Sequence, residues 1–291
     1  MLLDEGQDFE IFHGDCIPHM ELEMPESSVD MAVFSPPFPS LYAYTSSESD
    51  IGNVDVMGDE AKIHLGFFYK RLSRVLKPGR VAMVHVAQIP RMKRSGGEGL
   101  CDFRGINIRI GERAGLTYEY DWSVRKNPQA QAIRTKSREL QFCGLESDSV
   151  KSRGALMDYL IKFRKPGENQ IAIDNEGEIS RVQWTHWAEG CWTDIRETNT
   201  LNTLEAKGEN DTKHICPLQL DVIERLVKLF SNPGEIVFSP FTGVGSEGYC
   251  ALKLFRRFYG CELKREYFEA ATRNMGKAIS IREQLHEKVL F

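Results

Sequence analysis

The segment Ser35-Pro36-Pro37-Phe38 follows an apolar run and carries residue types that could act on a planar amine. Two prolines stop the preceding strand and hold the turn rigid. The exocyclic amine of a nucleobase is a poor nucleophile, because its lone pair is delocalised into the ring. Hydrogen-bond acceptors aimed at its N–H groups, here the Ser35 hydroxyl and the Pro36 carbonyl, could turn that lone pair toward an electrophile, while Phe38 stacks on the base. Such a base must first leave the helix stack. The alternative is an ordinary proline turn at a strand end.

A glycine loop near the C-terminus predicts a site for a cofactor that contains adenosine. Gly243, Gly245 and Gly248 form G-x-G-x-x-G between a predicted strand and a predicted helix. Glycine permits positive φ angles and lets a ligand approach the backbone closely. Glu262 comes 19 residues after Gly243, at the tip of the next strand, where an acid binds ribose hydroxyls. Only 29 residues follow Glu262, so earlier strands must complete the sheet. This order disfavours a nicotinamide domain, which would begin with such a unit.

Apolar runs and chain breakers predict the elements that position these two segments. Strands are predicted at 9–15, 28–34, 80–86, 118–124, 158–163, 235–239 and 257–262. Helices are predicted at 60–76, 106–114 and 218–230, from the glycine loop to 255, and at 265–286, with Pro217 at the first position of its helix. Strands that alternate with helices indicate a mostly parallel sheet. We therefore predict an α/β fold with a circularly permuted Rossmann-like sheet, helices on both faces and irregular insertions in the middle of the chain.

Charge is distributed unevenly along a chain whose net charge is −5. Residues 1–60 contain 14 Asp and Glu and no Lys or Arg, so the remainder carries a net charge of +9. Five basic residues and no acid lie between Arg125 and Arg138. This asymmetry suits a one-faced contact with a polyanion. The alternative is a solvated surface loop.

Other features of the composition indicate the compartment and exclude some classes of site. The seven cysteines are odd in number and form no C-x-x-C, which favours reduced thiols in a cytoplasm and argues against a disulfide framework or a zinc site. No run of 18 apolar residues is present, and the N-terminus lacks the basic and apolar regions of a secretory signal. We therefore expect a cytoplasmic protein without a metal or a membrane partner.

Histidine and tryptophan residues have structural and functional interpretations. His85 lies in an apolar strand and is interpreted as a core histidine. Three tryptophans are interpreted as anchors of a polar segment, with contact to DNA or a partner subunit as the alternative: Trp184, Trp187 and Trp192. The basic loop from Arg91 to Arg104 is a second candidate for DNA contact.

The order of these motifs resembles the β class of S-adenosylmethionine-dependent DNA amino-methyltransferases. Members carry (Asp/Asn/Ser)-Pro-Pro-(Tyr/Phe), then a target-recognition region, then Phe-x-Gly. The matching segments here are Ser35–Phe38, residues 89–200 and Phe241-Thr242-Gly243. The resemblance implies transfer of a methyl group from S-adenosyl-L-methionine to the exocyclic amine of a flipped base in double-stranded DNA, by a homodimer. It divides the chain into a catalytic half (1–88), the target-recognition region with some framework strands (89–200) and a cofactor-binding half (201–291).

The resemblance also implies roles for individual residues. The catalytic set is Ser35, Pro36, Pro37 and Phe38. The cofactor-binding set is Asp15, Lys213, His214, Pro217, Ser239, Phe241, Gly243, Gly245 and Glu262. Together with Tyr42, which follows the catalytic motif, the basic stretches give a DNA-contact set of Tyr42, Arg91, Lys93, Arg94, Arg125, Lys126, Arg134, Lys136 and Arg138.

Two departures from the family pattern fall in the cofactor half. Ser239 stands where the family usually has Asp before Pro-Phe, and Gly-Val-Gly-Ser-Glu stands where Gly-Ser-Gly-Thr-Thr is common. By family convention Ser-Pro-Pro favours cytosine N4, yet adenine methylation is commoner among solitary enzymes of this type, and we favour adenine N6. An RNA or protein amide methyltransferase and a non-catalytic DNA-binding relative are the competing hypotheses. The basic insertion of about 110 residues favours duplex DNA.

Overall fold

The computed structural model describes residues 2–39, 51–53, 58–91, 99–135, 146, 148–202 and 217–290. In these residues the strands are β1 (Phe9–His13), β2 (Val29–Phe34), β3 (Leu76–Ala87), β4 (Ile89–Pro90), β5 (Leu100–Cys101), β6 (Thr117–Val124), β7 (Asp158–Arg164), β8 (Cys191–Trp192), β9 (Ile236–Ser239) and β10 (Arg257–Glu262). Eight of them form one sheet in the order β1-β10-β9-β2-β3-β7-β6-β8, and β4 pairs with β5.

Five neighbouring strands of the sheet, β1, β10, β9, β2 and β3, run parallel. Strand β2 is buried along its whole length, as the apolar sequence of a central parallel strand requires. Strand β7 is antiparallel to β3 and β6, and its first residue Asp158 pairs with Ala87 on one side and Val124 on the other. The start of β7 and the end of β6 therefore lie at the edge where the five parallel strands end, which we call the carboxyl edge.

Helices cover both faces of the sheet. They are α1 (Cys16–Leu22), α2 (Asp59–Val75), α3 (Phe103–Arg113), α4 (Pro128–Thr135), α5 (Arg181–Trp187), α6 (Leu220–Phe230), α7 (Ser246–Lys253) and α8 (Arg265–Leu290). Short 3-10 turns occur at Ile51–Asn53 and Ser149–Lys151. One apolar core lies under α1, α2 and α3, and a second lies under α6, α7 and α8. The predicted α/β fold, with a permuted strand order and helices on both faces, is confirmed.

Local hydrogen bonds move several element boundaries from their predicted positions. Helix α6 begins at Leu220, because Gln219 is extended (ψ 133°) and the Leu220 N–H donates to the Asn199 carbonyl (2.8 Å). The predicted place of Pro217 at the first position of this helix is therefore wrong. Helix α3 begins at Phe103, three residues early, because the Asp102 carboxylate accepts from the Gly105 N–H (3.0 Å).

The middle of the chain contributes to the main sheet. Strands β6, β7 and β8 all fall within 89–200, and a helix that was not predicted, α5, begins at a capping box formed by Ser180 and Gln183. Among the described residues no helix is long and apolar enough to cross a membrane. Within the same residues, no group of three or more His, Cys, Asp and Glu side chains could hold a metal ion.

Candidate active site

The predicted chemical groups follow adjacent strands at the carboxyl edge. Asp15, Glu262, Ser239 and Ser35 lie at or just after the ends of β1, β10, β9 and β2, which are neighbours in that order. From the β9–β2 pair the chain leaves in opposite directions, to β10 on one side and to β3 on the other. Open α/β sheets bind ligands at such a switch point, outside the carboxyl ends of the strands.

The glycine loop has the backbone conformation that its sequence predicts. Gly243 (φ 55°) and Gly245 (φ 89°) both adopt the left-handed region, and Gly245 is the N-cap residue of α7. A Cβ atom added at Gly243 would meet no atom of the described residues within 4 Å, so these residues leave the space beside it open. A Cβ atom at Gly248 would lie 2.5 Å from Phe258 and from the Met275 sulfur, so this glycine permits close packing of α7 on the sheet and α8.

Glu262, the last residue of the neighbouring strand β10, is hydrogen-bonded to the glycine loop. Its carboxylate accepts hydrogen bonds from the Gly243 N–H (2.7 Å) and the Lys264 N–H (2.8 Å), and the residue is 9% exposed. On its other side, Gly14 N–H donates to the Glu262 carbonyl (2.9 Å). Asp15, also predicted in the cofactor site, is half-buried and caps α1 by accepting from the Ile17 N–H (2.9 Å). Both predicted acids thus lie on adjacent strand ends.

Two buried hydroxyl groups beside the glycine loop have no hydrogen-bond partner among the described residues. They are Ser239 Oγ and Ser246 Oγ, which lie on either side of the loop in sequence and belong to residues that are 0% and 2% exposed. An unpaired buried polar group costs about 1–3 kcal/mol. Glu247, in the first turn of α7, is also buried, and burial, with a smaller contribution from Glu262, raises the pKa of its carboxyl group to about 8. The loop thus concentrates polar groups that a polar ligand could satisfy.

The predicted catalytic motif follows β2 directly. Ser35, Pro37 and Phe38 are half-buried and Pro36 is buried. The Phe38 ring packs on Phe103 of α3, with the ring centroids 5.4 Å apart. The motif therefore packs against helix α3 through Phe38, and part of its surface stays exposed at the carboxyl edge.

Behind Ser35 lies a chain of polar side chains that sequence analysis missed. His85 Nδ1 is 3.2 Å from Ser35 Oγ, and His85 Nε2 is 2.8 Å from Asp158 Oδ2. Lys126 Nζ is 2.6 Å from the same carboxylate oxygen. Burial raises the pKa of Asp158, but the charges and hydrogen bonds of His85 and Lys126 outweigh it and lower that pKa to about 2. His85, interpreted from the sequence as a satisfied core histidine, is largely buried, and both its ring nitrogens lie within hydrogen-bond distance of a partner. The sequence did not indicate that this ring joins Ser35 to a buried ion pair.

The residues predicted to contact DNA are not all exposed in the structure. Lys126 was predicted to contact DNA, but its side chain is 5% exposed and pairs with Asp158, so it cannot reach a phosphate and the prediction is wrong. Arg91 and Arg125 are exposed, and Arg134 lies in α4. The remaining predicted site residues lie outside the described residues: Tyr42, Lys93, Arg94, Lys136, Arg138, Lys213 and His214.

Two of the three tryptophans are anchors. Trp192 is 0% and Trp187 is 8% exposed, and the Trp192 indole N–H donates to the Trp187 carbonyl (3.0 Å). The Arg225 guanidinium lies over both rings, 5.1 and 5.5 Å from their centroids. Trp184, in contrast, is 53% exposed. The first two tryptophans thus fix the segment around α5 and β8 against α6.

Comparisons with known proteins give the family. The model of the N6/N4 family, described as DNA methylase, matches residues 29–273. Type II methyltransferase M.BglI of Bacillus subtilis is 28% identical over 168 residues, which cover 57% of this chain and 41% of that enzyme. The chain thus spans less than half the length of this relative.

Solved structures share the fold over nearly the whole chain. TTHA0409 of Thermus thermophilus, described as a DNA modification methylase and complexed with S-adenosyl-L-methionine, is 20% identical with a TM-score of 0.67, covering 93% of this chain and 94% of that one. The cytosine-N4-specific PvuII DNA methyltransferase is 18% identical with a TM-score of 0.65, covering 97% and 96%. Because the family model matches most of the chain, this protein belongs to the N6/N4 DNA methylase family.

Proposed function

We propose that the protein transfers a methyl group from S-adenosyl-L-methionine to the exocyclic amine of a base in double-stranded DNA. The observation that carries the proposal is the pairing of β2 with β9, through Met31–Val237 and Ala32–Phe238. This pairing brings the Ser35 motif and the glycine loop, about 200 residues apart in sequence, to adjacent strand ends. Family membership supports the same reaction.

The glycine loop fits the proposed cofactor. Within the described part of the chain, the space beside Gly243 is open and the hydroxyls of Ser239 and Ser246 have no hydrogen-bond partner. Together with the two acids on adjacent strands, these features suit a ligand with ribose hydroxyls and a charged amino-acid end. The cofactor, when bound, supplies a methyl group on a sulfonium, whose S–C bond breaks with its electron pair left on sulfur as the base nitrogen forms the new bond. Glu262 binds the ribose, and the loop backbone between Ser239 and Ser246 approaches the amino-acid end.

The Ser35 motif acts on the amine of the base. Ser35 Oγ and the Pro36 carbonyl accept hydrogen bonds from the two N–H groups, which turns the nitrogen lone pair out of conjugation with the ring. Phe38, held against Phe103, supplies a flat apolar surface for a base that has left the duplex. These groups act by position and fixed dipoles, so they need no metal.

Duplex DNA lies along the carboxyl edge and contacts residues 89–200, the proposed target-recognition region. Arg91 and Arg125, both exposed, are the phosphate contacts proposed among the described residues. Adenine N6 is the first candidate target, because adenine methylation is commoner among solitary enzymes of this type. Cytosine N4 is the second, because Ser35 stands at the position where the family convention favours it. Both bases present an amine beside an unprotonated ring nitrogen, so the motif serves either. A homodimer and a cytoplasmic location remain predictions.

The test is methyl transfer from labelled S-adenosyl-L-methionine to unmethylated genomic DNA, followed by mass spectrometry of the nucleosides. We expect label in N6-methyladenine, or in N4-methylcytosine if the second candidate is right. Ser35→Ala should lose most of the activity, whereas Ser28→Ala, just before the other end of β2, where the Ser28 hydroxyl donates to the Pro25 carbonyl (2.8 Å), should not. Label that enters RNA or protein but not DNA would refute the proposal. Failure of the protein to bind the cofactor in calorimetry would favour a non-catalytic relative.

A further inference from the structure

Four polar side chains form a continuous chain at the carboxyl edge, and the proposed reaction uses only the first of them. They are Ser35, His85, Asp158 and Lys126. Each comes from a different strand end, because Phe34 pairs with Val84 across β2 and β3, and Asp158 opens β7 beside the ends of β3 and β6. The side chains of His85, Asp158 and Lys126 are 14%, 12% and 5% exposed. This row of four side chains is therefore largely shielded from water and ends at the Ser35 hydroxyl.

The ion pair at the inner end fixes the tautomer of the imidazole. Asp158 Oδ2 lies within hydrogen-bond distance of both Lys126 Nζ and His85 Nε2, and an ionised carboxylate only accepts. Nε2 of His85 therefore carries a proton, and in the neutral ring Nδ1 is left as an acceptor facing Ser35. The low pKa of Asp158 keeps this carboxylate ionised throughout the range in which proteins are stable.

The Ser35 hydroxyl then has its single proton directed away from the site. Among the residues that the structure describes, its acceptors are the His85 Nδ1 atom and the His85 carbonyl oxygen, each 3.2 Å from Ser35 Oγ. When the Ser35 hydroxyl donates its proton in a hydrogen bond to either acceptor, the lone pairs of Ser35 Oγ are left for a ligand at the carboxyl edge. A hydroxyl in this state can only accept a hydrogen bond from an amine, which is what activation of the amine requires.

We propose that His85, held by Asp158 and Lys126, is a positioning residue that accepts a hydrogen bond from the Ser35 hydroxyl. During the reaction His85 also accepts the Ser35 hydroxyl proton, when Ser35 receives the proton that the amine releases. This inference rests on the proposed function. Once methylated, the amine nitrogen carries one proton too many. That proton moves to Ser35 Oγ as the Ser35 hydroxyl proton moves to His85 Nδ1. The resulting imidazolium faces the Asp158 carboxylate, which attracts it although the same carboxylate also pairs with the Lys126 ammonium, so the positive charge stays on the ring only briefly. The imidazole ring of His85 finally releases one proton to water outside the site.

A double-mutant cycle separates this role from a purely structural one. His85→Asn should lower the single-turnover rate of methyl transfer about 100-fold or more. The affinities for S-adenosyl-L-methionine and for DNA should stay within about twofold of the wild type, because His85 contacts neither ligand. If His85 acts through Ser35, then the double variant S35A/H85N should be no more than about twofold slower than Ser35→Ala. Multiplicative losses, or equal losses in rate and in both affinities, would overturn the proposal.

A matched control exists at the opposite end of β3. Glu235 forms a buried ion pair with Arg80, with Glu235 Oε2 and Arg80 Nη1 3.1 Å apart and side chains that are 10% and 4% exposed. Glu235→Gln breaks a buried pair on the same strand without touching Ser35, and should leave the rate within about twofold. Asp158→Asn keeps His85 in place and is the second variant: it should slow transfer as His85→Asn does. A normal rate for Asp158→Asn would contradict the proposal.

The tautomer of the imidazole gives an independent measurement. Nitrogen NMR of histidine-labelled protein, without cofactor or DNA, should show Nε2 protonated and Nδ1 unprotonated in the neutral ring, with the signal identified by its loss in His85→Asn. A protonated Nδ1 in the neutral ring would refute the inference even for a protein that methylates DNA. Correct NMR with no DNA methylation would refute the proposed function instead.

Discussion

Replacement of Glu247 by Gln is expected to raise the free energy of unfolding by an amount that increases with pH. Burial raises the pKa of the Glu247 carboxyl group from its ordinary value of 4.5 to about 8, and Glu262 adds to this increase. The unfolded chain gives up the proton near pH 4.5, whereas the folded protein keeps it to about pH 8. Unfolding therefore releases a proton between these values, and wild-type stability decreases as pH rises through this range. A glutamine side chain has no such dependence.

The magnitude follows from the width of that range. Each unit between the two pKa values corresponds to about 1.4 kcal/mol, so the difference between wild type and Glu247→Gln should grow by about 3 kcal/mol from pH 5 to pH 7. Urea unfolding at pH 5, 6, 7 and 8 measures it, and other titrating groups cancel in the difference. Glu266→Gln, an exposed acid in the first turn of α8, is the control and should give a small difference that is independent of pH. A constant difference for Glu247→Gln, or a loss of stability that grows with pH, would refute the reasoning.

Two further predictions concern ligands. Glu262→Gln should weaken S-adenosyl-L-methionine binding by about 1.5–3 kcal/mol, because charged hydrogen bonds to the loop and the ribose are lost; calorimetry measures it, and an unchanged affinity would show that Glu262 does not bind the ribose. Joint replacement of Arg91 and Arg125 by Gln should flatten the plot of log DNA affinity against log salt by about 0.9 for each phosphate that is no longer neutralised. Arg113→Gln, exposed at the end of α3, is the control, and an equal slope in both variants would place the DNA elsewhere.

Periodicity and chain breakers predicted most of the framework. Strand β10 has the predicted bounds, and helix α2 ends at Val75, one residue from the predicted end, because Leu76 begins a strand. These signals are local: an apolar run flanked by Pro-Gly or Asn-Pro-Gly has few alternatives. The glycine loop was located for the same reason, since its positive φ angles at Gly243 and Gly245 need a residue without a Cβ atom.

The relay behind Ser35 could not be predicted in this way. His85 and Asp158 are 73 residues apart, and their contact depends on the register in which β7 pairs with β3. A shift of one residue in that register would move Asp158 to the other face of the sheet, and nothing in the sequence of β7 states the register. The parallel pairing of Phe34 with Val84, which only the structure shows, places the residues that follow, Ser35 and His85, side by side.

The error at Lys126 has a related cause. A run of basic residues predicts charge density but not the direction of each side chain, and two residues past the end of β6 the chain turns Lys126 inward. There Asp158, itself at a strand end, compensates the ammonium. Arg125, one residue earlier, donates its backbone N–H to the Trp192 carbonyl (3.0 Å) and is exposed. Neighbours in a charge run therefore serve opposite purposes, one as a surface cation and one as a buried counter-ion.

The two halves of the proposed site are joined by aromatic packing as well as by strand pairing. Phe34 precedes the Ser35 motif, and Phe241 begins the Phe-x-Gly segment of the glycine loop. Their ring centroids are 5.9 Å apart, and Phe68 of α2 lies 5.3 Å from Phe34 and 4.9 Å from Phe241. A group transfer between two ligands requires their reacting atoms to be held at a fixed separation, and a misplacement of about 1 Å can cost about 100-fold in rate. The phenyl ring of Phe241 thus has a physical reason to be present beside the glycines: it packs the loop proposed to bind one reactant against the strand proposed to present the other.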